Sequence, residues 1–214
     1  MSVEPFDWNV VIVGYWNMAI LTPAGIASRL FQVEEGTNLR VQVSLDVLAP
    51  HKVQSPDGVT VIPDSKSLII EPRDTSFKCM ESAIETAKRA LEKLPETPVL
   101  AAGINLRFKV TDASTELTEA IRVGLDDRIS DCEFSIRDRT LRRSVDFDTG
   151  VLNLGLDSDD DGHMVVLLNF EMRSKDSKSL VAWLDMPIAK IRQTTYQVLK
   201  DVFSIPWEES SDDH

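Results

Sequence analysis

The chain spells the same order of elements twice. Each half reads as strand, short helix, three strands and long helix, and the halves meet near residues 94–98. This repeat constrains the fold more than any motif does. Strands that follow one another across short turns pair as antiparallel neighbours, and each long helix then needs an apolar sheet face to cover. The halves share little residue-by-residue identity, so the reading is one of duplicated architecture. It divides the chain into a first α+β repeat at residues 1–95 and a second at 96–207 sharing one sheet. An acidic tail at 208–214 is expected to be disordered.

In the first half, Trp8 to Trp16 is rich in Val, Ile and aromatic residues and predicts a strand. Thr22-Pro23 predicts a helix start, because a Thr hydroxyl accepts from free N–H groups and proline fits the first turn; Gly25 keeps this helix short. Leu39 to Leu48 alternates strictly. Leu39, Val41, Val43, Leu45 and Val47 point one way, and Arg40, Gln42, Ser44 and Asp46 the other, as in a strand with one buried and one wet face. Val59 to Pro63 and Ser67 to Glu71 follow as short strands. Thr75 to Leu94 predicts the long helix, with Phe77, Met80, Ile84, Ala87 and Leu91 recurring every three or four residues until Pro95 ends it.

The second half opens with a strand from Pro98 to Val110, in which Ile104, Leu106, Phe108 and Val110 alternate with Asn105, Arg107 and Lys109. Ser114 starts a short helix, and Gly124 sits inside its pattern. Cys132, Phe134 and Ile136 alternate with Glu133, Ser135 and Arg137 and predict the next strand; Leu152 to Leu156 and Met164 to Met172 predict two more. Ser177 to Leu184 fits either a helix or a short strand. Asp185 is the expected cap of the closing helix, with Pro187 in its first turn.

Helices follow strands here without regular βαβ alternation, and strands with a wet face argue for antiparallel pairing. The class is therefore α+β: a curved antiparallel sheet with amphipathic helices on one face. The element order resembles the duplicated saddle of TATA-binding-protein-like domains, and also helix-grip folds. The resemblance is one of topology, and implies a shape without implying a task.

Charge narrows the function classes. Lys and Arg total 23 against 35 Asp and Glu, a formal net charge of -12. Phosphate binding needs clustered cations, so nucleic acid and anionic membranes are disfavoured partners and basic proteins are permitted ones. Cys79 and Cys132 form no CxxC and fall in apolar-periodic segments, which predicts reduced core thiols. No run approaches the roughly 18–20 apolar residues of a membrane span, and the N-terminus lacks a basic, then apolar, leader. A soluble, cytoplasmic protein is the expectation.

Two local patterns carry chemistry. Asp157-Ser158-Asp159-Asp160-Asp161-Gly162 matches the opening of a calcium loop, with Asp157, Asp159 and Asp161 as the candidate metal ligands. The twelfth position is Leu168, where such a loop needs a bidentate Glu, and the flanks read as strands; an acidic hairpin turn is the other reading. Arg137, Arg139, Arg142 and Arg143, with Arg107 on another strand, are candidate anion- or partner-binding residues, since guanidinium groups grip carboxylates and phosphates bidentately. Arg137 and Arg139 should share a strand face. The alternative is a solvated face neutralised by nearby acids.

No HExxH, GxSxG, Walker loop or GxGxxG occurs, and the three histidines lack partners at recognisable spacing, so no catalytic residue is assigned. Trp8 and Trp183 read as core; Trp16 and Trp207 flank turns and read as the rim of the core or as interface anchors. The leading expectation is a non-enzymatic protein-binding or adaptor module, possible as a homodimer, with the wet face of Arg40, Gln42, Asn105 and Arg107 as its surface. The alternatives are an acidic inhibitor that mimics nucleic acid to block a basic enzyme or toxin, and a small-molecule binder or enzyme with a pocket between sheet and helices.

Overall fold

In a computed structural model, which describes residues 1–34, 36–43, 50–159 and 163–207, the chain forms one nine-stranded, open antiparallel sheet with six helices. β1 (Ser2–Gly14) leads into α1 (Pro23–Ile26), which continues as a π-helical turn over Ala27–Phe31. The strands β2 (Arg40–Gln42), β3 (Lys52–Gln54), β4 (Thr60–Pro63) and β5 (Ser67–Glu71) precede α2 (Phe77–Lys93). β6 (Val99–Thr111) opens the second half, followed by α3 (Thr115–Ile121) and α4 (Gly124–Asp131). β7 (Arg139–Phe147), β8 (Gly150–Ser158) and β9 (Met164–Arg173) then lead to α5 (Ser177–Leu184) and α6 (Ile188–Gln197).

The strand order is β2-β3-β4-β5-β1-β6-β9-β8-β7. In each half the last strand returns beside the first, and the two first strands pair along most of their length at the middle, from Ser2 opposite Thr111 to Gly14 opposite Val99. The expected duplication is not established, because the element orders of the halves differ. The first has an extra edge strand, β2, and two helices follow β9 where one follows β5. Among the described residues no helix is long and apolar enough to cross a membrane.

All the helical packing falls on one face. Val10, Ile12, Ile70, Ile104, Phe108 and Phe170 point from alternate strand positions into a core shared with Met80, Ile84 and Leu91 of α2 and Leu180 and Trp183 of α5. Helix α2 begins where Ser76 accepts from the Cys79 N–H (3.2 Å). Gly25 lies in α1 for a positional reason: a Cβ there would run into the backbone carbonyl of Ile20. Lys88 of α2 reaches both Asp185 (2.6 Å) and Glu85 (2.8 Å), tying α2 to the turn after α5. The Asp185 carboxylate, then that of Glu85, hold its ammonium above the usual lysine range.

Several expectations are corrected. Residues 132–138 form no strand; Cys132 closes α4 instead, and the strand is β7, farther on. Cys132 is exposed and Cys79 half-buried, so neither thiol is a core residue, and both are free. The strictly alternating strand is only Arg40–Gln42 among the described residues, with Val41 at 41% and Val43 at 74% exposure. Alternation reports two faces; it does not say that anything covers the apolar one. Residues 44–49, and the tail at 208–214, lie outside the described residues. Trp16 is buried and its indole N–H donates to the Ile12 carbonyl.

Asp185 ends α5 rather than starting α6, whose N-cap is Pro187. The cap that sequence reasoning missed is Asp176, which accepts from the Ser179 hydroxyl (2.7 Å) and from the N–H groups of Lys178 and Ser179 (both 3.2 Å). The Ser179 hydroxyl, then the Lys178 N–H, hold this carboxyl below its ordinary range. A depressed folded pKa contributes stability above the unfolded value, about 3.9, and loses it as pH falls through the folded one. Asp176→Ala should therefore lower the melting temperature at neutral pH, and thermal melts should show the gap from wild type narrowing below that range.

Candidate functional site

Among the described residues no element covers the face opposite the helices. Its apolar residues, among them Val11, Val13, Ile69, Val165 and Leu167, belong to no part of the helix-packed core. Register places Arg40 and Gln42 of β2 on this face together with Asn105 and Arg107 of β6, so the wet surface expected from the sequence is one continuous side of the sheet.

A row of side-chain amides crosses this face at right angles to the strands. Asn9, Asn105, Asn169, Asn153 and Ser144 stand directly opposite one another on β1, β6, β9, β8 and β7. The Ser144 hydroxyl donates to Asn153 Oδ1 (2.6 Å), Asn153 Nδ2 to Asn169 Oδ1 (2.7 Å), Asn169 Nδ2 to Asn105 Oδ1 (2.8 Å), and Asn105 Nδ2 to Asn9 Oδ1 (2.8 Å). Asn9 Nδ2 then donates to Asp7 Oδ1 (3.2 Å). Every bond runs in the same sense, so the amide dipoles align and polarise one another. With strands about 4.8 Å apart, the four steps from β1 to β7 cover about 19 Å.

The ends and flanks of the row are built for it. Between Phe6 and Asn9 the register of β1 against β6 shifts, and Asp7 adopts a left-handed backbone (φ 48°), a conformation that Asp tolerates better than most residues. The shift turns the Asp7 carboxylate to the Arg107 guanidinium and to Asn9 together. Gly103 leaves room beside the row: a Cβ there would come within 3.0 Å of Asn169 Nδ2. Asn9 is only 7% exposed, although no helix lies over it.

The predicted arginine cluster is not assembled as one patch. Arg137 precedes β7 and is exposed; it shares no strand face with Arg139. Arg139 points to the helix side, where its Nε meets Asp126 Oδ2 at 2.6 Å. Arg142 points to the open face, lies across Gly155, and reaches Asp157 Oδ2 at 2.8 Å. Arg143 is exposed on the helix side of the edge and donates to the Arg142 carbonyl. Arg107 lies on the open face, four strands from the sheet edge β7 counted inclusively by β7, β8, β9 and β6.

Two of the candidate ligands in the acidic hairpin have protein partners. Asp157 is held by Arg142, and Asp159 accepts from the His163 N–H and faces its ring. Asp161 lies outside the described residues, and among the described residues no group of three or more His, Cys, Asp or Glu is placed to hold a metal.

A second feature lies on the helix side. Helix α4 turns Asp126 inward, 7% exposed, while Leu125 is 58% exposed and Phe134 after it 69%. Beside it a cleft of about 300 Å³ is lined by Ile121, Arg122, Ile136, Arg139, Ser158 and Met164. Its lining mixes apolar side chains with two guanidinium groups, one already paired with Asp126.

Comparison with protein-family models finds no match for this sequence, and comparison with the curated proteins finds none.

Proposed function

We propose that this protein is a non-enzymatic protein-binding module that recognises its partner through the open face of the sheet. The observation that carries the reading is the amide row on a face that no element covers among the described residues, with Val11, Ile69, Val165 and Leu167 beside it. Specific interfaces combine apolar area with a modest number of well-placed hydrogen bonds. Each amide in the row spends one donor and one acceptor on its neighbours, and Asn153 gives its second donor to Glu171 (3.1 Å), so the row offers evenly spaced polar contacts set in apolar surface. A pre-ordered row also reduces the side-chain ordering that association requires.

The test is capture from the native source lysate with tagged wild-type protein and tagged Val165→Arg as paired baits, at low and high salt. A stoichiometric protein held by wild type and absent from Val165→Arg is the expected result. Equal capture by both baits would place the binding surface elsewhere, and recovery of the bait alone, with wild type also a single chain in solution, would remove the reading.

A further inference from the structure

We infer that the occupant of the open face is a second copy of this chain, docked face to face. The inference rests on the protein-binding reading above and names its partner. Charge carries the argument. The chain as a whole has a formal net charge of -12, yet among the described residues the open face has none of the excess. Register places there the cations Arg40, Lys52, Arg107, Lys109, Arg142 and Arg173. It places there the anions Glu4, Glu71, Asp146, Asp157 and Glu171, and the bulge adds Asp7. Among the described residues the two sets are equal in number and cancel.

A basic partner would be steered to the acidic surfaces elsewhere, and an acidic partner would be repelled by the molecule as a whole. A second copy is also an acidic body, and it can approach only where both surfaces are locally neutral. The open face meets that condition.

Most of these charges are also paired before any partner arrives. Lys52 meets Glu71 (3.5 Å), Arg142 meets Asp157 (2.8 Å), Arg173 meets Glu171 (2.5 Å), and Arg107 meets Asp7. Glu4 stands opposite Lys109 in the register. Covering such a face strands few single charges, which is the outcome that makes buried ions costly. Between the pairs lie Val11, Val13, Ile69, Val151, Val165 and Leu167.

The area is of the right size. At about 4.8 Å between strands and about 3.3 Å per residue, the strands of this face project to roughly 1,100 Å², enough for such an interface. A standard specific interface buries about 800 Å² from each partner. Two identical faces meeting about a two-fold axis also close on themselves, giving a dimer and no open chain of copies.

The experiment is sedimentation equilibrium of the full chain. Interfaces of this area have micromolar to picomolar dissociation constants, so about 100 μM protein is well into the dimer range. Wild type should then sediment at twice the single-chain mass of 24.0 kDa. Val13→Arg, at a site 38% exposed in the single chain and therefore tolerant of the change, should sediment as a single chain, and Val11→Arg likewise. Glu81→Gln, the same unit change of charge on the exposed side of α2, should leave the dimer intact. Circular dichroism melts confirm that each variant is folded.

Wild type at 24.0 kDa under these conditions would overturn the inference. So would folded Val13→Arg and Val11→Arg variants that both remain dimeric. A single-chain wild type that still captures a different protein through the open face would overturn self-association while leaving the protein-binding reading in place.

Discussion

Replacing Trp8 by alanine should cost about 3–5 kcal/mol of unfolding free energy, the range for truncating a large aromatic residue in a packed core. Trp8 is 2% exposed and sits at the bulge of β1. Its ring centroid lies 5.0 Å from that of Phe77, 5.7 Å from Phe108 and 6.3 Å from Trp207. Tyr196 joins from α6, 5.5 Å from Trp207. The cluster therefore clamps the chain's last described residues and two helices onto the two central strands. Such pairs add about 0.5–1.5 kcal/mol each beyond area burial. The indole N–H also donates to the Arg107 carbonyl (3.2 Å), a bond that alanine cannot make. Urea unfolding is the measurement; a loss under about 1 kcal/mol would mean that the cluster collapses into the vacated space, contrary to what close packing predicts.

Replacing Asn169 by alanine should cost about 1–3 kcal/mol, because the loss falls on its neighbours. Asn105 Oδ1 loses its donor, and Asn153 Nδ2 loses one of two acceptors while keeping Glu171 (3.1 Å). The decisive comparison is a double-mutant cycle with Asn105→Ala. Residues in one hydrogen-bonded network couple by about 0.5–3 kcal/mol, whereas independent sites add within a few tenths. Additive losses in urea unfolding would show that the amides act separately and that the row has no cooperative order to offer a partner.

The scaffold was largely legible from residue order. Ser67 to Glu71 was read to the residue, and α2 was found to within two residues at its start, because a three-and-four apolar stripe ending at proline has few other solutions. Thr22 and Ser114 were legible as caps because a hydroxyl before a helical stripe has a local job. The failures share a cause. Cys132, Phe134 and Ile136 alternate like a strand, but pairing needs a partner edge, and β7 takes that edge seven residues after Cys132. Local alternation cannot rank two neighbouring segments that compete for one position in a sheet.

The candidate surface was legible in part. Asn105 and Arg107 were readable as wet-face residues of β6 from their own alternation. Asn9, Asn153 and Asn169 went unnoticed, although asparagine is depleted in strands and its presence inside three more of them was a signal. Arg139 and Arg142 looked like one patch because they are close in sequence. An odd spacing on a strand sends them to opposite faces, one to Asp126 and the other to Asp157.

What this sequence determined by itself was its class, most of its elements and the side of each that prefers water, because those depend on periodicity and on capping within a few residues. The tertiary structure alone decided which strands lie side by side, and hence that four asparagines from strands as far apart in the chain as Asn9 and Asn169 form one row, and that opposite charges cancel on one face of an acidic protein. Register is a relation between segments, set by the packing of the whole core, and no single segment carries it.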